Sequence, residues 1–201
     1  YITNTTPTIE FQVKDTDSGV NAGTIAVTVD GTAVSTVTKT AIDGGYKCTC
    51  TSPTLKDGSH TISVKASDND GNAAAAKTAT FTVDTVPPTL QITAPSNDLI
   101  TNKKTVTVSG KTDDVSSKPV TVTVNGATVT VGTDGTFTKD VTLAEGANTI
   151  TIVAKDKAGK TTTVTRKVTV DTQAPVIKSV TLTPNPVDCG KTFIIAVEIT
   201  D

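Results

Sequence analysis

A nine-residue segment occurs twice in the chain and constrains the fold more than any other feature. Residues 82–90 read TVDTVPPTL and residues 169–177 read TVDTQAPVI. In each copy a β-branched run ends at Asp-Thr, proline follows, and a new β-branched run begins. Proline fixes φ, lacks an N–H donor and biases the preceding residue toward extended backbone. We therefore interpret both segments as stiff junctions at which one sheet ends and the next begins.

The sequence similarity extends beyond the junctions. Three further pairs of similar segments occur in the same order along the chain: 2–4 with 100–102, 29–31 with 124–126, and 57–71 with 145–159. This order predicts one module over residues 1–84, a second over 85–171, and the first two strands of a third over 172–201. The third module is incomplete. The first lacks the strand that corresponds to residues 89–93.

The residues between the junctions predict β-structure. Threonine and valine are abundant, and both suit a pleated, half-buried surface better than a helix. Apolar residues alternate with polar ones over residues 9–14, as in a strand with one buried face. Asp30-Gly31 is a strong hairpin signal. Regular short strands at this spacing predict all-β, antiparallel Greek-key sandwiches. We expect these side chains in the first core: Ile9, Phe11, Val13, Ile25, Val27, Ile62 and Val64. For the second core we expect Val106, Val108, Val122, Val124, Ile150 and Ile152.

Three marks together suggest a known type of domain. They are DSGV at residues 17–20, GANTITIVAKDKAG at residues 146–159, and the VDT…P junction. The chain resembles tandem bacterial immunoglobulin-like domains, the repeats that build stalks of surface adhesins and of large secreted or virion-associated proteins. The resemblance implies tandem immunoglobulin-like sandwiches joined by short Pro-containing linkers. It also implies an extracellular location, on a cell surface or on the exterior of a virion.

The composition argues against an enzyme. The single histidine, His60, and the lack of a nucleophile elbow leave little for acid–base or triad chemistry. Cys48, Cys50 and Cys189 have no metal-ligand spacing, so we interpret them as small buried apolar side chains. Aromatic residues make up 3% of the chain and the formal charge is -2, so we expect neither nucleic-acid binding nor membrane insertion.

Aspartates at the ends of the modules are the candidate ligands for a metal, and calcium takes six to eight oxygen ligands of this kind. Loops after the second and sixth strands of such a sandwich emerge at the end where the module begins. The candidates are Asp15, Asp17, Asp68 and Asp70 in the first module, and Asp84, Asp113, Asp114 and Asp156 at the junction with the second. At the junction we expect Lys155, Lys157 and Lys160 to repel a cation. Ordinary turn aspartates are the alternative at both places.

These features favour a structural spacer, a stalk or fibre built from rigid sandwiches. Two alternatives stay open: an adhesive module that contacts a host or cell-surface receptor, and an accessory segment of a secreted polysaccharide-degrading enzyme. The partners we expect first are neighbouring modules of the same or another copy. The incomplete modules have two explanations, a longer parent chain or donation of the strand 176–183 to the first module of the next copy.

Overall fold

The computed structural model describes residues 1–183, 190 and 194–200, and every regular element in them is a β-strand. The expected all-β class is therefore confirmed. The described residues contain no helix of the length and hydropathy that crossing a bilayer requires. The strands are β1 Thr8–Lys14, β2 Val20–Val29, β3 Thr32–Ala33, β4 Thr38–Ile42, β5 Gly45–Thr51, β6 Gly58–Asp68, β7 Lys77–Val83, β8 Thr89–Ala94, β9 Leu99–Thr101, β10 Thr105–Asp113, β11 Thr121–Val124, β12 Ala127–Val129, β13 Thr136–Thr142, β14 Gly146–Lys155, β15 Thr161–Val170, β16 Val176–Thr183 and β17 Ile194–Thr200.

Four sheets form two sandwiches in tandem. The first sandwich contains the sheets β1-β5-β4 and β3-β2-β6-β7, and Ile2 joins it through a parallel bridge to Val83. The second contains the sheets β13-β10-β8 and β12-β11-β14-β15-β9, in which β9 runs parallel to β15. Strands β16 and β17 form a separate antiparallel pair. The exact limits 1–84, 85–171 and 172–201 stay predictions of the sequence repeat.

Tight hairpin turns connect equivalent strands in the two sandwiches. Asp30 and Gly31 lie between β2 and β3 with φ of 50° and 80°, and Asn125 and Gly126 lie between β11 and β12 with φ of 48° and 80°. A hairpin turn of this kind needs positive φ at both positions, which Asp, Asn and Gly tolerate. The turn expected at Asp30-Gly31 is confirmed.

The two sandwiches differ in how completely their cores are enclosed. The second has one continuous core, in which all six expected side chains are buried. The core of the first is divided into two clusters. Ile9, Ile25 and Val27 are buried there as expected. The other four expected core residues, Phe11, Val13, Ile62 and Val64, pack against the clusters but stay half-buried.

The junction after the first sandwich is fixed by local hydrogen bonds. The Asp84 amide donates to the carbonyl of Ile2 at 2.9 Å. The amide and the hydroxyl of Thr85 both donate to the Asp57 carboxylate at 3.0 Å. The junction after the second sandwich repeats these bonds with Asp171 to Thr101 and Thr172 to Glu145. The repeated sequence therefore forms a repeated local structure.

Candidate metal centre

Three aspartates from separate parts of the chain meet at the junction between the sandwiches. Asp84 directly follows β7, Asp114 follows β10, and Asp156 follows β14. One carboxylate oxygen of each lies within 4.8 Å of those of the other two. Their residues are 0%, 5% and 5% exposed. We call these three residues the acidic cluster. It joins the end of the first sandwich to two loops of the second.

Each carboxylate of the acidic cluster is held by its own loop. In every case Oδ1 accepts the amide hydrogen of a residue two to four positions further along. These bonds run from Val86 to Asp84 at 3.2 Å, from Ser116 and Ser117 to Asp114 at 2.8 and 2.7 Å, and from Lys160 to Asp156 at 2.9 Å. Such turns are a common use of Asp. They orient the carboxylates and leave the Oδ2 atoms for other contacts.

The Oδ2 atoms are incompletely satisfied. Ser117 donates its hydroxyl hydrogen to Asp84 Oδ2. Asp156 Oδ2 is buried and has no hydrogen-bond partner. A buried carboxylate oxygen without a partner is costly, because the ion has lost its hydration without replacement. This atom therefore makes the acidic cluster a candidate site for a cation.

No basic side chain neutralises the acidic cluster within the described part of the chain. None of its members takes part in an ion pair there. Lys155 and Lys157 are exposed. The Lys157 ammonium lies over the ring of Tyr1, 5.9 Å from its centroid. The Lys160 amide donates to Asp156 Oδ1 at 2.9 Å, and the Lys160 carbonyl accepts the amide hydrogen of Asp156 at 3.1 Å. Among the described residues, none of these three lysines forms an ion pair with the acidic cluster.

The donor set fits a hard divalent cation. All three side chains offer carboxylate oxygen, which calcium prefers over nitrogen or sulfur ligands. Calcium also accepts waters and flexible geometry, so three carboxylates and solvent can complete its shell. A dication would offset most of the repulsion among three buried negative charges, which interact strongly at such separations. Asp84, Asp114 and Asp156 would hold it.

Asp113, the fourth aspartate expected at the junction, lies outside the acidic cluster. It is exposed and pairs with the Lys118 ammonium at 2.8 Å. The hydrogen bond from Lys118 holds the pKa of Asp113 below its ordinary value. Asp113 and Asp114 are consecutive, and consecutive residues of an extended chain point to opposite sides. Only one of the two can reach the acidic cluster.

The aspartates expected as ligands in the first module have local partners instead. Asp15 Oδ2 accepts the hydroxyl hydrogen of Ser18 at 2.9 Å. The Asp68 carboxylate accepts the amide and side-chain hydrogens of Asn72 at 2.7 and 2.8 Å, which lowers its pKa. Asp17 and Asp70 are exposed. No described contact gathers three of these four carboxylates around one point, so calcium there stays a prediction.

Sequence reasoning missed Ser117, which is fully buried and donates to the acidic cluster. The available signal was its place three residues after Asp114, since Asp followed by Ser at this spacing favours a turn closed by side-chain hydrogen bonds. Such turns are common on any surface. The pattern alone therefore does not distinguish a site from a loop.

Family models match both sandwiches. One described as "Bacterial Ig-like domain" matches residues 1–85, and one described as "Glucodextranase, domain B" matches residues 88–172. Bacillopeptidase F of Bacillus subtilis (strain 168) is 32% identical over 155 residues, which are 77% of this chain and 10% of that protein. The chain thus spans about a tenth of the length of this curated relative.

Comparison with solved structures identifies one with the same fold. A segment of three titin immunoglobulin domains superposes with a TM-score of 0.51 at 12% identity and covers 89% of this chain and 64% of that one. The fibronectin(III)-like modules of Clostridium thermocellum CbhA give a TM-score of 0.46 at 18% identity, with coverages of 82% and 85%. The titin likeness shows that the sandwiches are immunoglobulin-like in fold.

Proposed function

We propose that this chain, a tandem of bacterial immunoglobulin-like domains, is a non-enzymatic spacer of an extracellular protein. Its sandwiches form a section of a stalk or fibre. A calcium ion at the acidic cluster holds the first sandwich at a fixed angle to the second. The activity is mechanical: the bound ion turns a hinge between domains into a rigid joint.

The observation that carries this proposal is the unpartnered Oδ2 of buried Asp156 beside the carboxylates of Asp84 and Asp114. Asp84 belongs to the end of the first sandwich, and the other two belong to loops of the second. An ion bound by all three is therefore a cross-link between domains. Binding to the folded state alone also stabilises that state by mass action.

Calcium titration calorimetry tests the site. The chain is first stripped with EDTA and then titrated, beside the variants Asp156→Asn and Asp113→Asn. We expect one site per chain, with a dissociation constant of about 0.1–1 mM, the range typical of extracellular calcium modules. Asp156→Asn removes the charge of one ligand. We expect it to raise the dissociation constant for calcium at least tenfold, about the effect of losing one group that supports a metal site. Asp113→Asn is the matched control and should bind as the parent does.

Magnesium in place of calcium provides a second comparison. Magnesium requires a tighter octahedral shell and releases water reluctantly, so we expect weaker binding at a cluster that offers three protein carboxylates. The proposal would be contradicted if the parent chain did not bind calcium, or if Asp156→Asn and Asp113→Asn lost calcium affinity equally.

A second function is supported by the comparisons. The model that matches residues 88–172 carries the description of a glucodextranase domain, and the curated relative is a peptidase by name. The chain would then be an accessory segment beside the catalytic domain of a secreted hydrolase. The sequence of the parent protein tests this directly: a hydrolase domain next to these modules supports it, and an uninterrupted array of similar modules contradicts it. Adhesion to a receptor stays a prediction, since no described contact favours it.

A further inference from the structure

The loops at residues 68–72 and 156–160 have the same backbone structure. In the first loop the Asp68 amide donates to the Asn72 carbonyl at 3.0 Å, and in the second the Asp156 amide donates to the Lys160 carbonyl at 3.1 Å. The glycine before the last residue has φ of 90° in the first loop and 89° in the second. The two loops therefore differ in their side chains and not in the course of their backbones.

The difference between the two loops falls on one carboxylate oxygen. In both loops Oδ1 of the aspartate accepts the amide hydrogen of the residue four positions on, from Asn72 at 2.7 Å and from Lys160 at 2.9 Å. The side-chain amide of Asn72 also donates to Asp68 Oδ2 at 2.8 Å. Lysine occupies the equivalent position in the second loop, and there Asp156 Oδ2 is buried without a partner. The residue at position 72 or 160 thus distinguishes a satisfied carboxylate from an unsatisfied one.

The donors around Asp156 are used elsewhere. A serine hydroxyl has one hydrogen to donate, and Ser117 donates it to Asp84 Oδ2. The Lys157 amide donates to the Ser117 carbonyl at 3.3 Å. Within the described part of the chain, the Lys160 ammonium forms no ion pair with Asp156. Asp156 Oδ2 is therefore left for a cation.

We propose that the residue at position 160 determines whether the acidic cluster binds a cation. This inference rests on the proposed function. Lysine carries its donors at the end of a long, flexible and strongly hydrated side chain, so it does not hold a donor against Asp156 Oδ2. Asparagine in the same loop places its amide directly on the carboxylate, as Asn72 does on Asp68. Lysine at position 160 thus keeps a ligand oxygen available that asparagine would occupy.

Charge alone predicts the opposite effect of replacing Lys160. A neutral residue at this position removes a positive charge close to the cation, so Coulomb repulsion falls and calcium affinity should rise. If the amide of asparagine instead occupies Asp156 Oδ2, Lys160→Asn should lower the affinity in spite of the lost charge. The sign of the change therefore separates the two explanations.

Calorimetric titration with calcium, after treatment with EDTA, measures this sign in the 201-residue chain. We expect Lys160→Asn to raise the dissociation constant about tenfold, an effect similar to losing a group that supports a metal ligand. Lys160→Ala removes the same charge without adding an amide, and it should not raise the dissociation constant. Lys157→Asn makes the same exchange at an exposed side chain three residues earlier, and it should not raise it either.

A second measurement needs no metal. A buried carboxylate oxygen without a partner is costly, so a side-chain amide that satisfies Asp156 Oδ2 should stabilise the second sandwich in EDTA. We expect the melting temperature of Lys160→Asn to exceed that of Lys160→Ala by about 4–8 °C, a shift typical of one added hydrogen bond in a domain of this size.

The combined results separate this inference from the proposed function. Weaker calcium binding and a higher melting temperature in EDTA, both for Lys160→Asn alone, would support it. Calcium binding by Lys160→Asn as tight as that by Lys160→Ala would overturn it and leave the proposed function standing. Equal melting temperatures of these two variants in EDTA would also overturn it, because the amide would not reach Asp156 Oδ2. A parent chain that bound no calcium would overturn the proposed function and this inference together.

Discussion

At the scale of single residues, His60 is the group most clearly tied to pH. Its Nδ1 lies 2.6 Å from Asp30 Oδ2 and its Nε2 lies 2.7 Å from the carbonyl oxygen of Lys56. Both ring nitrogens face acceptors, so only the doubly protonated imidazolium donates to both. The hydrogen bond with Asp30 raises the pKa of His60 and lowers the pKa of Asp30.

We therefore predict that the first sandwich is most stable at mildly acidic pH. The raised pKa of His60 gives stability that is fully present below its ordinary value of 6.5 and is lost as pH rises through the folded-state pKa. The lowered pKa of Asp30 gives stability that is present above 3.8 and is lost as pH falls through its folded-state pKa. Melting temperatures of the parent and of His60→Gln across this range check the prediction. The prediction would be contradicted if the melting temperature of His60→Gln fell with rising pH as much as that of the parent.

A second prediction at this scale compares two isoleucines at equivalent positions. Ile150→Ala removes a fully buried side chain and should cost about 2–5 kcal/mol of unfolding free energy. Ile62→Ala should cost less than Ile150→Ala, because Ile62 is only half-buried. Urea denaturation of each variant gives both values. Equal costs would contradict the smaller contribution expected of the half-buried Ile62.

The sequence predicted Asp84, Asp114 and Asp156 as junction residues because loops of a Greek-key sandwich meet at its ends. It did not separate Asp114 from Asp113, since both lie at a strand end and only the backbone direction distinguishes them. It also did not identify the half-buried state of Ile62 and Val64. An alternating pattern shows which face points inward, not whether another strand covers it.

At the scale of structural elements, the junction segment positions the acidic cluster. Asp57 accepts both the amide and the hydroxyl hydrogen of Thr85, the residue after Asp84. Glu145 and Thr172 make the same bonds after the second sandwich, where Asp171 is exposed. The repeated VDT…P segment predicted the place of both junctions. The partner that fixes each Thr is 27 or 28 residues away and could not be predicted from a local pattern.

These bonds lead to a prediction with a built-in control. Asp57→Ala frees Thr85 and should loosen Asp84, so that calcium affinity falls about tenfold, a usual effect of removing a group that supports a metal ligand. Glu145→Ala breaks the equivalent bonds at the other junction and should leave calcium affinity unchanged. Calorimetric titration of both variants decides the matter. If both variants, or neither, lost affinity, the assigned role of Asp57 would be wrong.

At the scale of the whole molecule, the sequence predicts domains that unfold independently of each other. The reason is that few contacts cross a short linker between domains. The structure adds a link across the first junction, from Asp84 to Ser117. We predict two separate unfolding transitions in EDTA and their convergence in excess calcium, because the ion binds only when both sandwiches are folded. Differential scanning calorimetry checks this. Asp156→Asn should keep two transitions in both conditions.

The central claim is that a cation at the acidic cluster fixes the angle between the two sandwiches. Residual dipolar couplings of backbone amides, measured with saturating calcium and again in EDTA, test it most directly. We expect one alignment tensor to fit residues of both sandwiches with calcium, and two different tensors to be required in EDTA. Asp156→Asn should require two tensors in either condition. The same fit with and without calcium in the parent chain would contradict the account.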